Sequence, residues 1–327
     1  MDATYESSPE WYKPRRPGNP SEMHSMKLLR LALFLLLLPF AAHAQDITSR
    51  VVDGYADSDG VRIHYATLGN PKDPPVLMVH GFPDYWYSWR GLMADLSRDH
   101  YTIAIDQRGY NLSDKPQGEQ NYQLRYLVGD VAAVLHHLGL AKATIIGHDW
   151  GGVVSWQVAI DRPELVDRLV ILNLPHLRGI RRELATNPQQ QKNSAYARFF
   201  QQDDAWKKLS VEKLVDTAVP DKSDTDTREK YTQAMQRSSI EAMLDYYRQN
   251  YPREPYAPDT SPVVKVRAPV LVIHGLDDPF LLAGALDGTW QWVDDTLTVV
   301  TLPHVGHFVL RDAPTQVIPL VRNWLAH

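Results

Sequence analysis

Five consecutive residues, Gly147-His148-Asp149-Trp150-Gly151, place a carboxylate at the centre of a small-x-nucleophile-x-small spacing. That spacing suits a strand-to-helix elbow displaying one reactive side chain. A hydroxyl at the centre must lose a proton before it attacks, so it needs a base. A carboxylate, with an ordinary pKa of about 3.9, is already ionised at neutral pH. It can attack a saturated carbon directly, expel a leaving group and stay joined to that carbon as an alkyl ester. An epoxide or an alkyl halide suits such a nucleophile better than an ester or an amide.

The elements that must hold this carboxylate can be read on either side of it. "RVVDG" and "VRIHYATLG" read as an N-terminal hairpin. "PPVLMVHG", "YTIAIDQRG", "ATIIGHD" and "DRLVILNLP" follow as near-continuously apolar runs, expected of parallel strands buried on both faces. Between them lie segments of helical period, such as "YLVGDVAAVLHHLGL" with Leu127, Val131, Val134, Leu135 and Leu138 on one stripe. "APVLVIHG" and "LTVVTLP" resume the strands, and "PTQVIPLVRNWLAH" closes the chain as a helix. Strands alternating with helices predict an α/β sheet. The alternation stops between His176 and about Pro262, where "LRGIRREL", "SAYARFFQQ", "SVEKLVDTAV", "TREKYTQAMQ" and "SIEAMLDYYRQNY" read as helices of an insertion. A cap over the strand ends is expected there, giving a core of residues 45–175 and 263–327 and a cap of residues 176–262.

Composition narrows the chemistry. The 327 residues are 44% hydrophobic and 22% charged, as in ordinary globular chains. A net charge of −5 supplies no basic field for nucleic acid. With no cysteine, thiol catalysis, thiolate metal sites and disulfides are excluded. Near the start, Lys27 and Arg30, an apolar run from Leu31 to Phe40 and Ala42-His43-Ala44 have the three-part layout of a secretory signal. The run is short of the ~20 residues a spanning helix needs. Residues 26–44 are therefore expected to direct export to a periplasmic or secreted location, with cleavage after Ala44 and an uncleaved tether as the alternative. Residues 1–25 read as a non-native or disordered extension, with Met26 as a candidate start.

Taken together, "HGFPDYWYSWR", "DQRGY", "GHDWGG", "NLPH", "GLDDPF" and "GHF" carry a family signal. In these motifs and their order the sequence resembles the α/β-hydrolase superfamily and, within it, the epoxide hydrolases, from about residue 55 to the C-terminus. The resemblance implies a mostly parallel central sheet flanked by helices, with the helical cap inserted after the sixth core strand. It makes Asp149 the nucleophile and His307 of "PHVGHFVL" the general base on water, with His304 a loop residue. Counting G-x-x-D from Gly275 makes Asp278 the orienting acid, with Asp277 solvated or capping a turn. Family members that carry this acid after the earlier strand would need a carboxylate near "ILNLP", where Asn173 stands. Backbone N–H groups of Phe82 and Trp150 are expected to form the oxyanion hole, and Pro83 invites a cis bond. His80, His148, Asp106 and Arg108 are expected to support the loops, as is the "NLS" sequon at Asn111.

The leaving group separates the alternatives. An epoxide opens to an alkoxide, which wants a proton donor. The epoxide hydrolase pattern Y-x-x-x-F-Q is matched by Tyr196 to Gln201, and the Tyr-Arg pair near the cap's end by Tyr247-Arg248. Tyr246 is the adjacent decoy, turned away by about 100° on a helix. Haloalkane dehalogenases also share "GHDWG", but their second halide donor usually occupies the position of Phe82, which has no side-chain donor. Tyr85, Trp86, Trp150, Trp206 and Phe280 are candidate walls for a small apolar substrate. The leading expectation is an epoxide hydrolase using water and neither cofactor nor metal. A haloalkane dehalogenase and a catalytically silent binding protein of the same fold stand as alternatives. The sequence carries no signal for oligomeric state.

Overall fold

The computed structural model describes residues 47–327, which lie within one compact unit. The extension expected over residues 1–25 and the export signal expected over residues 26–44 lie outside the described residues. Among the described residues, no helix is long and apolar enough to cross a membrane.

Eight strands make one sheet in the order β1-β2-β4-β3-β5-β6-β7-β8. They are β1 (Val52–Ser58), β2 (Val61–Leu68), β3 (Pro75–Val79), β4 (Tyr101–Ile105), β5 (Ala143–His148), β6 (Val166–Leu172), β7 (Val270–Gly275) and β8 (Leu297–Leu302). β2 runs antiparallel to both of its neighbours, and every pair from β4 through β8 is parallel. The inner strands are buried on both faces because their residues are apolar at successive positions, not alternate ones. Ile145, Ile146, Ile171, Val272 and Ile273 are all fully buried, each contributing about 1.5–3 kcal/mol relative to exposure. β8 closes one edge and is half exposed.

Two helical layers flank the sheet. α1 (Arg90–Leu96) packs against the C-terminal helix, and α2 (Leu124–His137) packs against α3 (Trp150–Asp161). The α2 stripe is buried as its period requires, with Leu138 half-buried at the end. Between β6 and β7 the chain leaves the sheet for six helices: α4 (Leu177–Thr186), α5 (Pro188–Asn193), α6 (Ala195–Phe200), α7 (Val211–Ala218), α8 (Thr225–Arg237) and α9 (Ile240–Asn250). α10 (Val309–Asp312) and α11 (Pro314–Leu325) follow β8.

One cap helix, α5, falls on the polar run "PQQQKN", which has no apolar stripe to announce it. Its signal is local. Asn187 accepts the backbone N–H groups of Gln189 and Gln190, and Pro188 occupies the first turn.

Candidate active site

The carboxyl ends of the parallel strands bring three separated residues together, the usual place for a site in such a sheet. Asp149 follows β5, Asp278 follows β7 and His307 follows β8. Asp149 sits on the elbow between β5 and α3 with φ 51° and ψ −123°, a conformation rare for a residue with a side chain. The flanking glycines permit it. A Cβ at Gly147 would overlap the Gly151 carbonyl, and one at Gly151 would overlap the carbonyls of Val79 and His80. Gly81 has the same constraint from the other side, since a Cβ there would run into the Asp149 side chain. The "HGFP" backbone can therefore lie directly against Asp149, and Phe82-Pro83 is cis.

Phe82 N–H donates to Asp149 Oδ1 at 2.7 Å. Trp150, the other residue expected to meet an oxyanion, opens α3 directly after Asp149, and the resting carboxyl is turned toward the "HGFP" loop and His307. His307 Nε2 lies 3.4 Å from Asp149 Oδ2. On the other side of the ring, His307 Nδ1–H donates to Asp278 Oδ2 at 2.8 Å. Asp278 Oδ1 accepts the N–H groups of Phe280 and Leu281 at 2.8 and 3.0 Å.

Charge is balanced along this line. Burial opposes ionisation of Asp149, but the His307 hydrogen bond and charge, then His148 and Phe82 N–H, hold its carboxyl below the ordinary value. Burial likewise opposes ionisation of Asp278, and His307, Asn173 and Phe280 N–H overcome it, leaving a pKa of about 2. Burial favours neutral His307, yet the carboxylates on both sides raise its pKa to about 10. These shifts favour an imidazolium between two carboxylates. His148 is the opposite case: burial and the His307 charge lower it to about 4. Its ring donates from Nε2 to the His307 carbonyl at 3.0 Å.

Tyr196 on α6 and Tyr247 on α9 face each other above this line, with ring centroids 6.0 Å apart. Phe200 packs 5.0 Å from Tyr247 and 5.4 Å from Phe82, and Gln201 Nε2 donates to the carbonyls of Tyr247 and Tyr251. These contacts give the Y-x-x-x-F-Q spacing a physical content. Burial raises the pKa of both phenols well above the ordinary value. The nearby Tyr251 and Asp149 charges add to this at Tyr196, and Asp149 and Tyr196 at Tyr247. Both stay protonated. Tyr246 points the other way and donates to the Arg108 carbonyl at 2.8 Å.

Phe280 lies between Tyr196 and His307, at 5.1 and 5.2 Å, and Trp150 lies 4.9 Å from Tyr247. The other expected wall residues are placed elsewhere. Tyr85 and Trp86 pack in a cluster with Tyr87, and Tyr85 also meets Tyr231 of α8. Trp206 takes part in none of the ring contacts joining the site, and Lys207 Nζ lies 5.5 Å from its ring. A cleft of about 350 Å³ is lined by Asp84, Trp89, His148, Val219, Tyr231 and Phe308 among others.

The remaining polar residues are structural. His80 donates from Nδ1 to the Gly81 carbonyl, and its Nε2 accepts Gln107 N–H. Arg108 pairs with Asp130, and buried Asn111 donates to Asp106. His304 and Asp277 are exposed and 3.9 Å apart. Among the described residues, no three His, Cys, Asp or Glu side chains come together as a metal site.

Asn173 is a site residue whose role sequence reasoning missed. It occupies the end of β6 with φ 44°, and its Nδ2 donates to Asp278 Oδ2 at 2.8 Å and to the Gly306 carbonyl at 3.2 Å. Its Oδ1 accepts Gly275 N–H. Where another branch would carry the acid, this chain carries the amide that orients it.

Comparison with known proteins agrees with this geometry. A family profile described as alpha/beta hydrolase fold matches residues 74–314. Epoxide hydrolase 1 of Caenorhabditis elegans is 32% identical over 283 residues, covering 81% of this chain and 68% of the relative. Human epoxide hydrolase 4 is 29% identical, covering 81% and 76% respectively. The crystal structure of a Bacillus megaterium epoxide hydrolase in complex with an inhibitor superposes with a TM-score of 0.76 at 31% identity, covering 84% of this chain and all of that one. The chain belongs to the α/β-hydrolase fold family and, within it, to the epoxide hydrolases.

Proposed function

We propose that the protein opens a small apolar epoxide to a vicinal diol through a covalent ester on Asp149. The observation that carries this reading is the ionised carboxylate on the elbow, held by Phe82 N–H and His307 beneath two buried, protonated phenols. Asp149 attacks one epoxide carbon and the carbon–oxygen bond breaks. The developing alkoxide takes a proton from Tyr196 or Tyr247, which removes the need for a poor leaving group to depart as an anion.

Ester formation also prepares the second step. Asp149 loses its charge, so one of the two carboxylates raising the His307 pKa disappears and the imidazolium gives up its proton, which restores the phenol by way of solvent. Neutral His307, oriented through Nδ1 by Asp278, then takes a proton from water. The hydroxide adds to the Asp149 carbonyl, Phe82 N–H meets the oxyanion, and collapse releases the diol. The carboxylate and the imidazolium are both regenerated, and the sum is epoxide plus water to diol.

A haloalkane dehalogenase has less support: Phe82 offers only its backbone N–H, already bonded to Asp149, and the two phenols would have no task. The test is His307→Gln. After mixing with an epoxide the wild type consumes, intact mass should show protein plus substrate. An unchanged mass refutes the ester. Export through residues 26–44 is part of the proposal, tested by N-terminal sequencing of exported protein, which should begin at Gln45.

A further inference from the structure

The two phenols sit on the cap, while the carboxylate they serve sits on the sheet, so something must fix the gap between the two layers. Gln201 ties α6 to α9, but that bond lies within the cap. One buried amide crosses the layers. Gln190 on α5 is 1% exposed. Its Nε2 donates to the Phe280 carbonyl at 2.7 Å and its Oε1 accepts Leu282 N–H at 2.9 Å, both on the loop after β7. That same loop turns Phe280 N–H and Leu281 N–H onto Asp278.

The other Nε2 hydrogen of Gln190 reaches Ser194 Oγ at 3.1 Å. Ser194 is fully buried, stands at the N-cap position of α6 two residues before Tyr196, and also accepts the Tyr251 hydroxyl at 2.9 Å. Tyr251 follows the last residue of α9, and its ring lies 6.2 Å from that of Tyr247. Both N–H groups of the Gln190 amide and its oxygen are therefore engaged, one bond on the Tyr196 helix and two on the acid's loop.

We propose that Gln190, acting through Ser194, is the positioning residue that sets the Tyr196 phenol over the Asp149 carboxylate. The proposal rests on the reading that Tyr196 donates the proton in ring opening. The acid keeps its own bonds from Phe280 N–H, Leu281 N–H and Asn173, so losing Gln190 should displace the phenol more than the base. Ring opening should suffer and ester hydrolysis should not, since a misplacement of about 1 Å in reacting groups can cost about 100-fold.

The experiment is a double-mutant cycle, with ester formation and ester decay followed by quenched-flow mass spectrometry on the full-length protein. Gln190→Leu should slow ester formation about 10- to 100-fold and change ester decay by less than about three-fold. Ser194→Ala, which removes only one oxygen, should slow formation in the same direction and carries the test if Gln190→Leu does not fold. In a Tyr196→Phe background, either substitution should slow formation by less than about two-fold. A full multiplicative effect in that background, or an equal loss in formation and decay, overturns the positioning role while leaving the phenol reading intact. Wild-type ester formation in Tyr196→Phe alone overturns that reading and this inference with it.

Discussion

Replacing Asp278 with asparagine tests the base most directly. Asp278 accepts four hydrogen bonds: Phe280 and Leu281 N–H on one oxygen, and Asn173 Nδ2 and His307 Nδ1 on the other. An asparagine can keep its carbonyl toward the two backbone donors only by turning its NH2 toward Asn173 and His307. Donor then faces donor, unless His307 makes Nδ1 an acceptor and moves its proton to Nε2. Nε2 is the nitrogen on the Asp149 side, 3.4 Å away, and once protonated it cannot take a proton from water. The lost charge-assisted bond costs about 1.5–3 kcal/mol and the misdirected buried donors about another 2–3 kcal/mol. Together these amount to a ~10³- to 10⁴-fold slower ester hydrolysis. In the proposed mechanism ring opening uses Asp149 and the phenols, so it should slow less than about ten-fold by the same conversion. Mixed with excess epoxide, Asp278→Asn should make one equivalent of covalent ester and then stall, as read by intact mass against time. A turnover rate within about ten-fold of wild type, or a collapse of turnover without ester, refutes the division of labour between Asp149 and the His307–Asp278 pair.

Two further substitutions follow from the surroundings of the site. Burial raises Asp84 to a pKa of about 6, against the hydrogen bond from Tyr231 and the charges of Arg311 and Arg90. The folded state therefore binds its proton more tightly than the unfolded chain, and stability falls as pH rises from the ordinary value of 3.8 to about 6. The shift corresponds to about 3 kcal/mol. Asp84→Asn should raise the denaturation midpoint at pH 8 and leave it unchanged at pH 4, and equal midpoints at pH 8 would contradict the raised pKa. Gly81→Ala puts a methyl group into the Asp149 side chain and should abolish ester formation, read by mass, while a variant that still labels would show that the loop yields.

Much of the site was legible because it is local or stands at a strand end. The elbow at Asp149 is a five-residue spacing, while Asp278, His307, Tyr196 and Tyr247 are positions that the family resemblance implies. Helical geometry adds that only one of Tyr246 and Tyr247 can face the site. What escaped lies in side-chain partnerships across long stretches of chain. Asn173 reaches Asp278 over 105 residues and Gln190 reaches Leu282 over 92, distances at which neither spacing nor period says which amide meets which loop. The contact of Tyr85 with Tyr231 of α8 is of the same kind.

The neighbouring tyrosines of α9 carry one more consequence. Tyr246 is anchored downward to the Arg108 carbonyl, and Tyr247 looks into the reaction space. One added or deleted residue upstream in that helix would turn everything beyond it by about 100°, unseating the anchor and Tyr247 together. The length of α9 is thus locked at both surfaces at once, and natural or engineered variation in the lid must come through its connecting loops instead.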